Sequence, residues 1–400
     1  MVHSANNSKL FDPQQFSKKQ HFLIAYSGGA DSTALLHFCA HHPELQHRIR
    51  AIHINHQLQQ QSDAWQSHCQ KQCKDWKVPV VIERVNLNDD SENTARNARR
   101  DAFEQHLKSN EILLTGHHLQ DQVETVLFRL FRGTGLKGIG GMQENSKLPK
   151  GNLIHRPLLH LNKSKITSYL QSNQLAWVED PSNHINQYSR NHIRNELLPV
   201  IKSYDEHAFE AISKSAQQLQ ASHDLLMQLM PAQNPLPWKH VNSTTFLHHW
   251  IQKLGINPPT VRQLDTFIDN CKDAEDHKKP SINWHNHCLM LWRKHLYLLN
   301  PIAQPEDTTL PFKQNMALPC GGQITFTQSL GINSLQIRYA VTGARIKQAG
   351  HTHHKSIKKL HQEQQTSPWD KLVTPFIYHS EELVAVGLWR SETFNQLVMK

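Results

Sequence analysis

The chain has 400 residues, 38% of them hydrophobic and 8% aromatic, which is enough for two or three domains with buried cores. Lysine and arginine exceed aspartate and glutamate by 43 to 34, and 30 histidines can add positive charge below neutral pH. No apolar run is long enough to span a membrane, and the polar segment from Met1 to Gln20 predicts no secretory signal. We therefore expect a polyanionic partner, and nucleic acid rather than a membrane, because no basic amphipathic anchor is visible.

The cysteines are scattered along the chain, and none forms a Cys-x-x-Cys pair. This spacing disfavours a disulfide framework or a zinc ribbon. A reducing cytoplasm is the simplest location that the pattern predicts. The six residues are Cys39, Cys69, Cys73, Cys271, Cys288 and Cys320.

From Phe22 to about Phe131, short apolar segments alternate with helical ones. Strands and helices that alternate at this spacing predict right-handed crossovers and an α/β fold with a doubly wound parallel sheet, similar to a Rossmann fold. Such sheets bind their ligands at the carboxyl ends of the strands. The predicted strands are 22–26, 50–54, 78–85 and 111–115, and the predicted helices are 32–40, 62–76, 92–107 and 119–131.

The pattern changes after this sheet. From His192 to about Met230 it is helical, and Pro231–Pro237 then has three prolines in seven residues, which is typical of a linker. Residues 241–299 are mixed, and a second proline-bearing stretch leads into short strands. The sequence predicts an α/β domain at 1–215, a helical middle domain at 216–310 and a small, basic α+β C-terminal domain at 311–400.

One short motif carries chemistry: a Ser-Gly-Gly-Ala-Asp-Ser sequence lies between the first strand and the first helix. The glycines allow a tight turn whose backbone N–H groups, together with the helix N-terminus, attract an anion, so phosphate is the expected ligand. Serine hydroxyls can donate to phosphate oxygens, whereas the aspartate would repel phosphate unless Mg²⁺ lies between them. A plain Gly-Gly turn before a capped helix is the alternative. The candidate nucleotide-binding residues are Ser27, Gly28, Gly29, Ala30, Asp31 and Ser32.

This loop resembles the pyrophosphate loop of the N-type ATP pyrophosphatases, which adenylate a carbonyl oxygen and release pyrophosphate. Further motifs make the chain similar to the tRNA(Ile)-lysidine synthase family within that superfamily. The similarity extends over nearly the whole chain and is weakest between about residues 230 and 310. Its motifs are Gly116–Thr125, Arg132–Gly135, Gly138–Met142, Trp177–Asn183, Tyr188–Arg194, Lys355–Leu360, Pro368–Trp369 and Leu383–Val386.

The resemblance implies an ATP-dependent carbon–nitrogen ligase. Such an enzyme would adenylate the first anticodon cytidine, at C2, of an isoleucine tRNA with a CAU anticodon. L-lysine would then displace AMP and form lysidine, so that the tRNA reads AUA instead of AUG. ATP and Mg²⁺ are the implied cofactors, and the resemblance allows a homodimer. The middle domain would orient the tRNA, and the C-terminal domain would bind it.

Asp121 and Glu124 lie three residues apart on the predicted 119–131 helix and therefore share a face. We expect this face at the mouth of the sheet, although a solvated helix face is the simpler alternative. Arg190 and Arg194 lie four residues apart, a spacing that would let both clamp one phosphate. The resemblance implies that Asp31 and Asp121 hold Mg²⁺. It also implies a catalytic set of Asp31, Asp121, Glu124, Arg190 and Arg194.

The chain departs from the family at Gln120, where the family usually has the first of two adjacent aspartates. If that carboxylate binds the metal, the glutamine lowers metal affinity. We expect activity to survive, because Asp121 and Glu124 remain.

The C-terminal part has no aspartate or glutamate between Thr308 and Gln362, although it contains several lysines and arginines. Basic residues usually form a solvated face, but so long an acid-free run favours contact with phosphates. The predicted tRNA-binding residues are Arg132, Arg345, Lys347, Lys355, Lys358 and Lys359.

Three other functions fit parts of the sequence. A tRNA 2-thiolation enzyme shares the pyrophosphate loop but needs reactive cysteines, and Cys69 and Cys73 are spaced for core packing on a helix. A small-molecule amide ligase would not need the basic C-terminal part. A non-catalytic RNA-binding protein would keep the loop without using it, and ATP turnover coupled to tRNA would exclude that function.

Overall fold

A computed structural model describes residues 9–57, 61–85, 92–179, 189–275, 278–300, 303–313, 315–320, 322–326, 332–394 and 397–399. The chain divides into two units, Met1–Gln228 and Leu229–Lys400. In chain order, the elements of the first unit are β1 (His21–Ala25), α1 (Ala30–His41), β2 (Ile49–Asn55), α2 (Ser62–Asp75), β3 (Val80–Arg84), α3 (Glu92–His106), β4 (Glu111–Leu114), α4 (Leu119–Phe131), α5 (Leu136–Ile139), β5 (Asn145–Lys147), β6 (Leu153–His155), α6 (Lys163–Ser172), α7 (Ser189–His192), α8 (Leu198–Tyr204) and α9 (Ala208–Leu229).

The strands of the first unit form one sheet in the order β3-β2-β1-β4-β6-β5. The pairs from β3 to β6 are parallel and β5 is antiparallel to β6, so the predicted doubly wound parallel sheet is confirmed. The sequence missed β5 and β6 because each has three residues, too few for an apolar period to show. The chain order reverses at β1, so the carboxyl ends of β1 and β4 lie at the switch point of the sheet.

Strand β1 is buried on both faces. Phe22 and Ile24 belong to the core beneath α1 and α6, whereas Leu23 packs with Ile52 and Leu113 on the opposite face. Successive residues of a strand point to opposite faces, so helices must cover both sides of the sheet. This burial explains the unbroken apolar run of β1. The end of that run sets the point at which the chain leaves the sheet.

The predicted helical stretch from His192 to Met230 is interrupted. Helix α7 runs into a π-helical turn at Ile193–Leu197, and extended backbone at Asp205 separates α8 from α9. Turns of the π type are rare and often occur at functional sites. Among the described residues, none of the helices is both long enough and apolar enough to cross a membrane.

The second unit contains more strands than the sequence predicts. In chain order, its elements are β7 (Leu236–Pro237), α10 (Thr244–Lys253), α11 (Val261–Lys272), β8 (Ser281–Trp284), β9 (His287–Trp292), β10 (His295–Leu299), β11 (Thr308–Pro311), β12 (Asn315–Ala317), β13 (Gln323–Phe326), β14 (Ser334–Tyr339), β15 (Arg345–Lys347), β16 (His354–Ser356), α12 (Ile357–Glu363), α13 (Pro368–Val373), β17 (Pro375–His379), β18 (Glu382–Val386), β19 (Trp389–Arg390) and β20 (Leu397–Met399). Antiparallel sheets form in the orders β7-β10-β9-β8, β11-β14-β17-β18-β19 and β12-β13-β20, and β15 pairs with β16. The middle region therefore adds a sheet to its expected helices.

The predicted domain boundaries near residues 215 and 310 stay predictions. Within the second unit, the ring of Trp369 on α13 lies 5.4 Å from that of Trp292 and 4.6 Å from that of Tyr297. These aromatic contacts join the middle sheet to the C-terminal part. They agree with the placement of both parts in one unit.

A buried ion pair ties β2 to β4 across β1. Arg50 Nε lies 2.7 Å from Glu111 Oε1, and the side chains are 15% and 5% exposed. Glu111 also accepts a hydrogen bond from the Lys108 backbone N–H at 2.9 Å. Burial alone would raise the pKa of Glu111, but the hydrogen bonds from Arg50 and Lys108 outweigh it and lower that pKa.

Replacing Arg50 by methionine should lower the free energy of unfolding by about 2 kcal/mol at pH 7, because the Glu111 carboxylate loses its charged donor. A pKa that is depressed in the folded state contributes stability above its unfolded value of 4.5, and this contribution is lost as the pH falls through the folded value. The difference between wild type and Arg50→Met, measured by urea unfolding, should therefore shrink below pH 4.5. Arg84→Met removes an exposed pair with Asp63 and should cost under about 0.5 kcal/mol. An equal cost for both variants would contradict the assignment.

Candidate active site

The predicted phosphate-binding motif forms the turn between β1 and α1. Gly28 has φ +86°, and a Cβ atom there would lie 2.8 Å from the Cys69 sulfur, so both backbone conformation and space require glycine. The Gly28 carbonyl accepts hydrogen bonds from the Thr33 hydroxyl at 3.1 Å and from the Val178 N–H at 2.9 Å. These contacts hold the turn in one conformation.

The first turn of α1 is built to receive an anion. Gly29 is its N-cap residue and supplies no side-chain hydrogen bond to the helix N–H groups, which therefore face the turn without a side-chain cap. The Ser27 and Ser32 hydroxyls lie 3.0 Å apart, and Ser32 donates to the Gly29 carbonyl at 3.0 Å. The structure thus brings the six predicted residues, Ser27 to Ser32 with Ala30 at the helix start, into one turn.

The second motif meets this turn at the switch point. A Cβ atom on Gly116, which follows β4, would lie 3.0 Å from the backbone carbon of Asp31, so the two segments pack backbone to backbone. His118 then begins α4: its Nδ1 accepts from the Gln120 N–H at 3.1 Å, and its own N–H donates to Asp121 at 3.0 Å. His118 therefore caps the N-terminus of α4.

His118 lies between the two predicted metal ligands. Its Nε2 is 3.6 Å from Asp31 Oδ1 and 3.6 Å from Asp121 Oδ2. Since Nδ1 accepts a hydrogen bond, Nε2 carries the proton and faces both carboxylates. The structure therefore brings Asp31 and Asp121 to the two sides of one imidazole ring.

Asp31 has a second partner that sequence reasoning missed. Lys163 Nζ lies 2.5 Å from Asp31 Oδ1. Burial opposes ionisation of this carboxyl, but His118 and Lys163 outweigh it and hold the pKa of Asp31 at about 2. One local signal marked Lys163: it is the first residue of α6, the helix end at which a cation is unfavourable.

Glu124 is more enclosed than its helix spacing suggested. Its side chain is 5% exposed, its carboxylate accepts from Arg194 Nε at 2.8 Å, and Arg194 Nη2 lies 2.7 Å from the same oxygen. Arg194 Nη2 also lies 3.3 Å from Asp121. Burial raises the pKa of Glu124, although Arg194 opposes the shift. The expectation that both carboxylates open to the mouth of the sheet holds for Asp121, whereas Glu124 lies beneath Arg194.

Arg190 and Arg194 make different close contacts in the structure, and their role as a clamp on one phosphate stays a prediction. The Arg190 guanidinium lies 5.0 Å from the centre of the Phe128 ring, and the Arg132 guanidinium lies 5.2 Å from the same ring. Arg194 sits in the π-helical turn, and the charges of both arginines oppose the burial that raises the pKa of Glu124. Arg190 and Arg132 form a basic pair on Phe128.

The glycine-rich segment after α4 folds back onto that helix. Gly141 has φ +69°, and a Cβ atom there would lie 2.6 Å from the Gln122 side chain. Gln122 is paired with the Met142 backbone, donating to its carbonyl at 3.0 Å and accepting from its N–H at 2.7 Å. The lack of a side chain at Gly141 therefore lets the Gln122 side chain pack against the backbone.

Asp31 and Asp121 fit a magnesium ion. Magnesium usually binds through one or two carboxylates plus substrate phosphates, and both side chains are partly exposed beside the phosphate-binding turn. In the described ranges, no group of three or more histidine, cysteine, aspartate or glutamate side chains forms a complete metal cage. Gln120 lies at the second position of α4, where it adds no carboxylate.

The remaining predicted tRNA-binding residues lie in the second unit. Arg345 and Lys347 are exposed on one face of β15, and Lys358 and Lys359 are exposed on α12. Lys355 Nζ is paired with Glu363 at 2.5 Å. Residues 180–188, which belong to the motifs Trp177–Asn183 and Tyr188–Arg194, lie outside the described part of the chain.

Comparison with known proteins covers both units. A PP-loop domain model matches residues 2–201, a TilS substrate binding domain matches 244–297, and a TilS substrate C-terminal domain matches 335–397. The tRNA(Ile)-lysidine synthase of Haemophilus influenzae (strain 86-028NP) is 34% identical over 94% of this chain and 96% of its own length. Those of Actinobacillus pleuropneumoniae serotype 3 and Yersinia pseudotuberculosis serotype O:1b are 31% and 32% identical, each over 93% of this chain and over 96% and 92% of their own lengths.

Replacing Arg194 by methionine should destabilise the protein by about 3 kcal/mol, because it removes the ion-pair partner of the buried Glu124 carboxylate. Adding Glu124→Gln should recover at least about 1 kcal/mol, because no buried charge then remains. Urea unfolding of the two single variants and the double variant measures this coupling.

Arg132→Met provides the control, because that arginine also packs on Phe128 and does not contribute to the pKa of Glu124. Adding Glu124→Gln to Arg132→Met should recover nothing. A double variant of Arg194 and Glu124 that is no more stable than Arg194→Met alone would contradict the pairing.

Proposed function

The chain belongs to the tRNA(Ile)-lysidine synthase family, and we propose that it ligates L-lysine to C2 of the first anticodon cytidine in a CAU-anticodon isoleucine tRNA. One observation carries the site assignment: the phosphate-binding turn and the start of α4 meet at Asp31, on the switch point of the sheet. A nucleotide on the turn and a base above α4 would therefore share one cleft.

ATP would place its phosphates against the N–H groups of the turn and the Ser27 and Ser32 hydroxyls. Asp31 and Asp121 would hold Mg²⁺, which would offset the phosphate charge. Arg194 would keep Asp121 oriented toward the cleft while neutralising Glu124. These groups are positioned before the substrates arrive, so little reorganisation is needed during the reaction.

The reaction has two displacements. The C2 carbonyl oxygen of the cytidine attacks the α-phosphorus of ATP, and pyrophosphate leaves. The amine of L-lysine then attacks C2, AMP leaves with that oxygen, and the amine loses a proton. The protein would supply orientation and charge stabilisation, and the reacting base must be unpaired, as in an anticodon loop.

Arg132 and Arg190 would bind phosphates of the anticodon loop. Both guanidinium groups lie on Phe128, toward the far end of the helix that begins beside Asp121. Arg132 lies eleven residues beyond Asp121, which corresponds to about 16 Å along a helix. This separation suits contacts with the tRNA backbone rather than with the reacting base.

The basic surface of the second unit would bind the tRNA outside the anticodon. Arg345 and Lys347 alternate with buried Ile346, so they present two charges on one face of the β15-β16 ribbon. Lys358 and Lys359 add two exposed charges on α12. A cytoplasmic location, the orienting role of the middle region and a homodimer are further parts of this proposal.

The 2-thiolation alternative loses its chemical support. Cys69 and Cys73 are buried in the core of the first unit, and burial raises the pKa of each thiol to about 12. Thiols of that kind are poor nucleophiles at neutral pH. Their predicted role in core packing is confirmed.

Purified protein with labelled L-lysine, Mg²⁺ and ATP should transfer lysine to an isoleucine tRNA transcript with a CAU anticodon. A matched transcript with uridine at the first anticodon position should receive none. Pyrophosphate release without lysine transfer would support the assignment of the adenylating site. It would also show that lysine is not the nucleophile. If neither pyrophosphate release nor lysine transfer occurs, the result would favour a tRNA-binding protein without catalysis.

Asp31→Ala should abolish tRNA-dependent pyrophosphate release while tRNA affinity stays within about twofold, because the carboxylate acts on Mg²⁺ and not on tRNA. Filter binding and pyrophosphate release measure the two effects separately. Wild-type turnover in this variant would refute the metal role of Asp31.

Replacing Lys358 and Lys359 by methionine should weaken tRNA binding and reduce the slope of log K against log salt by about 1.5, since two phosphate contacts are lost. Lys355→Met should change the slope less, because Glu363 already offsets its charge. Lys272→Met, in an exposed pair with Asp269, provides a control outside the acid-free segment. An unchanged slope in the double variant would reject this surface as the tRNA-binding site.

A further inference from the structure

Two apolar side chains at the C-terminal end of α4 are exposed. Phe131 is the last residue of the helix and is 64% exposed, and Leu130 beside it is 49% exposed. Earlier in the helix, Leu119 and Val123 are buried in a core with Ile193. The helix therefore extends beyond the core that its first turns enter, and its apolar surface ends in solvent.

The chain that follows α4 returns on the opposite side of the helix from Phe131. Arg129 donates to the Gly138 and Gly141 carbonyls at 3.0 and 2.7 Å, and Gln122 contacts the same segment. Residues 122 and 129 share one face of α4, whereas Phe131 lies about 200° around the helix from Arg129. These hydrogen bonds hold the returning segment away from the Phe131 ring.

Two guanidinium groups lie close to this exposed ring. Those of Arg132 and Arg190 are 5.2 and 5.0 Å from the centre of the Phe128 ring. Phe128 precedes Phe131 by three residues, a spacing at which side chains on a helix are neighbours. In the described structure, a Cβ atom on Gly133 would have no neighbour within 4 Å, so there is open space beside this end of the helix. Exposed aromatic rings next to cations are the means by which proteins bind unpaired nucleic-acid bases.

The charges beside the ring indicate which molecule covers it. A symmetric contact with a second copy of the chain would pair this surface with itself, so that Arg132 and Arg190 would face the same arginines of the other copy. Like charges would then repel each other. An RNA loop instead offers phosphates to the guanidinium groups and the face of an unpaired base to the ring.

We propose that Phe131 stacks on an unpaired base of the anticodon loop other than the reacting cytidine. This inference rests on the proposed function in placing that loop along α4. Phe131 lies ten residues beyond Asp121, about 15 Å along the helix, so one base cannot reach both residues. The stack would hold the loop at a second point and so orient the reacting base in the cleft.

Filter binding of RNA to the purified protein tests the stack. The ligands are the isoleucine tRNA transcript with a CAU anticodon, its anticodon stem-loop, and a duplex of the same stem without a loop. Phe131→Ala and Phe131→Leu should each weaken binding of the first two at least about fivefold, because leucine is apolar but cannot stack. Phe131→Trp should bind them within about twofold of wild type or more tightly. No Phe131 variant should change the affinity for the duplex.

The salt dependence of binding separates stacking from charge. Phe131→Ala removes no phosphate contact, so its slope of log K against log salt should equal that of wild type. Arg132→Met should reduce the slope by about 0.7, the value for one phosphate contact with a single strand. Tyr204→Ala is the matched control, because Tyr204 is an aromatic residue that is 91% exposed on α8, and it should change affinity less than twofold.

Three results would overturn the proposal. The first is wild-type affinity for the stem-loop in Phe131→Ala or Phe131→Leu, and the second is an equal loss of affinity for the duplex. The third is a shift of the free protein to a smaller sedimentation coefficient in Phe131→Ala, which would assign the ring to a contact between two copies. Phe131→Leu and Phe131→Trp carry the comparison if the alanine variant does not fold.

Failure of this inference is distinguishable from failure of the proposed function. If both are correct, Phe131→Ala should raise the KM for tRNA at least about fivefold and keep kcat within about twofold, because the ring does not touch the reacting base. Lysine transfer by Phe131→Ala with a wild-type KM would refute the inference alone. Wild-type protein that binds the stem-loop through Phe131 but transfers no lysine would refute the proposed function and leave the stack intact.

Discussion

The contact between the Gly116 backbone and the first turn of α1 is the constraint on which the site depends. It joins the ends of two neighbouring parallel strands, so that His118 reaches both Asp31 and Asp121. A Cβ atom at this glycine would lie 3.0 to 3.1 Å from the backbone of Asp31 and Ser32, so that backbone would have to shift to accommodate any side chain. The phosphate-binding turn and the carboxylates of α4 act as one site because no side chain separates them.

The charges of the site are balanced before any substrate enters. Asp31 faces Lys163, and Glu124 and Asp121 face Arg194. Of these carboxylates only Glu124 is buried, with its side chain 5% exposed, and burying it without the Arg194 cation would be costly. The arrangement also limits repulsion of an incoming polyphosphate, which three unpaired carboxylates would otherwise exclude.

The charged side chains of the two units differ in how exposed they are to solvent and salt. In the first unit, short contacts of 2.5–3.6 Å hold charges in a cleft that salt screens weakly. In the second unit, exposed lysines and arginines lie on a ribbon and a short helix, where their attraction for phosphate depends on salt. Under the proposed function, chemistry at the base and affinity for the whole tRNA would be separable, and variants in one unit would not alter the other.

The sequence by itself determined the parallel sheet, the position of the phosphate-binding turn and the helix that carries Asp121, because apolar periods and glycine turns are local signals. It also identified the acid-free basic segment. Only the tertiary structure decided which charges meet: Lys163 lies 132 residues from Asp31, Glu124 lies under Arg194, and Arg190 turns to Phe128 instead. Such pairings arise from helix packing and one π-helical turn. The spacing of residues along the chain does not indicate which side chains that packing brings together.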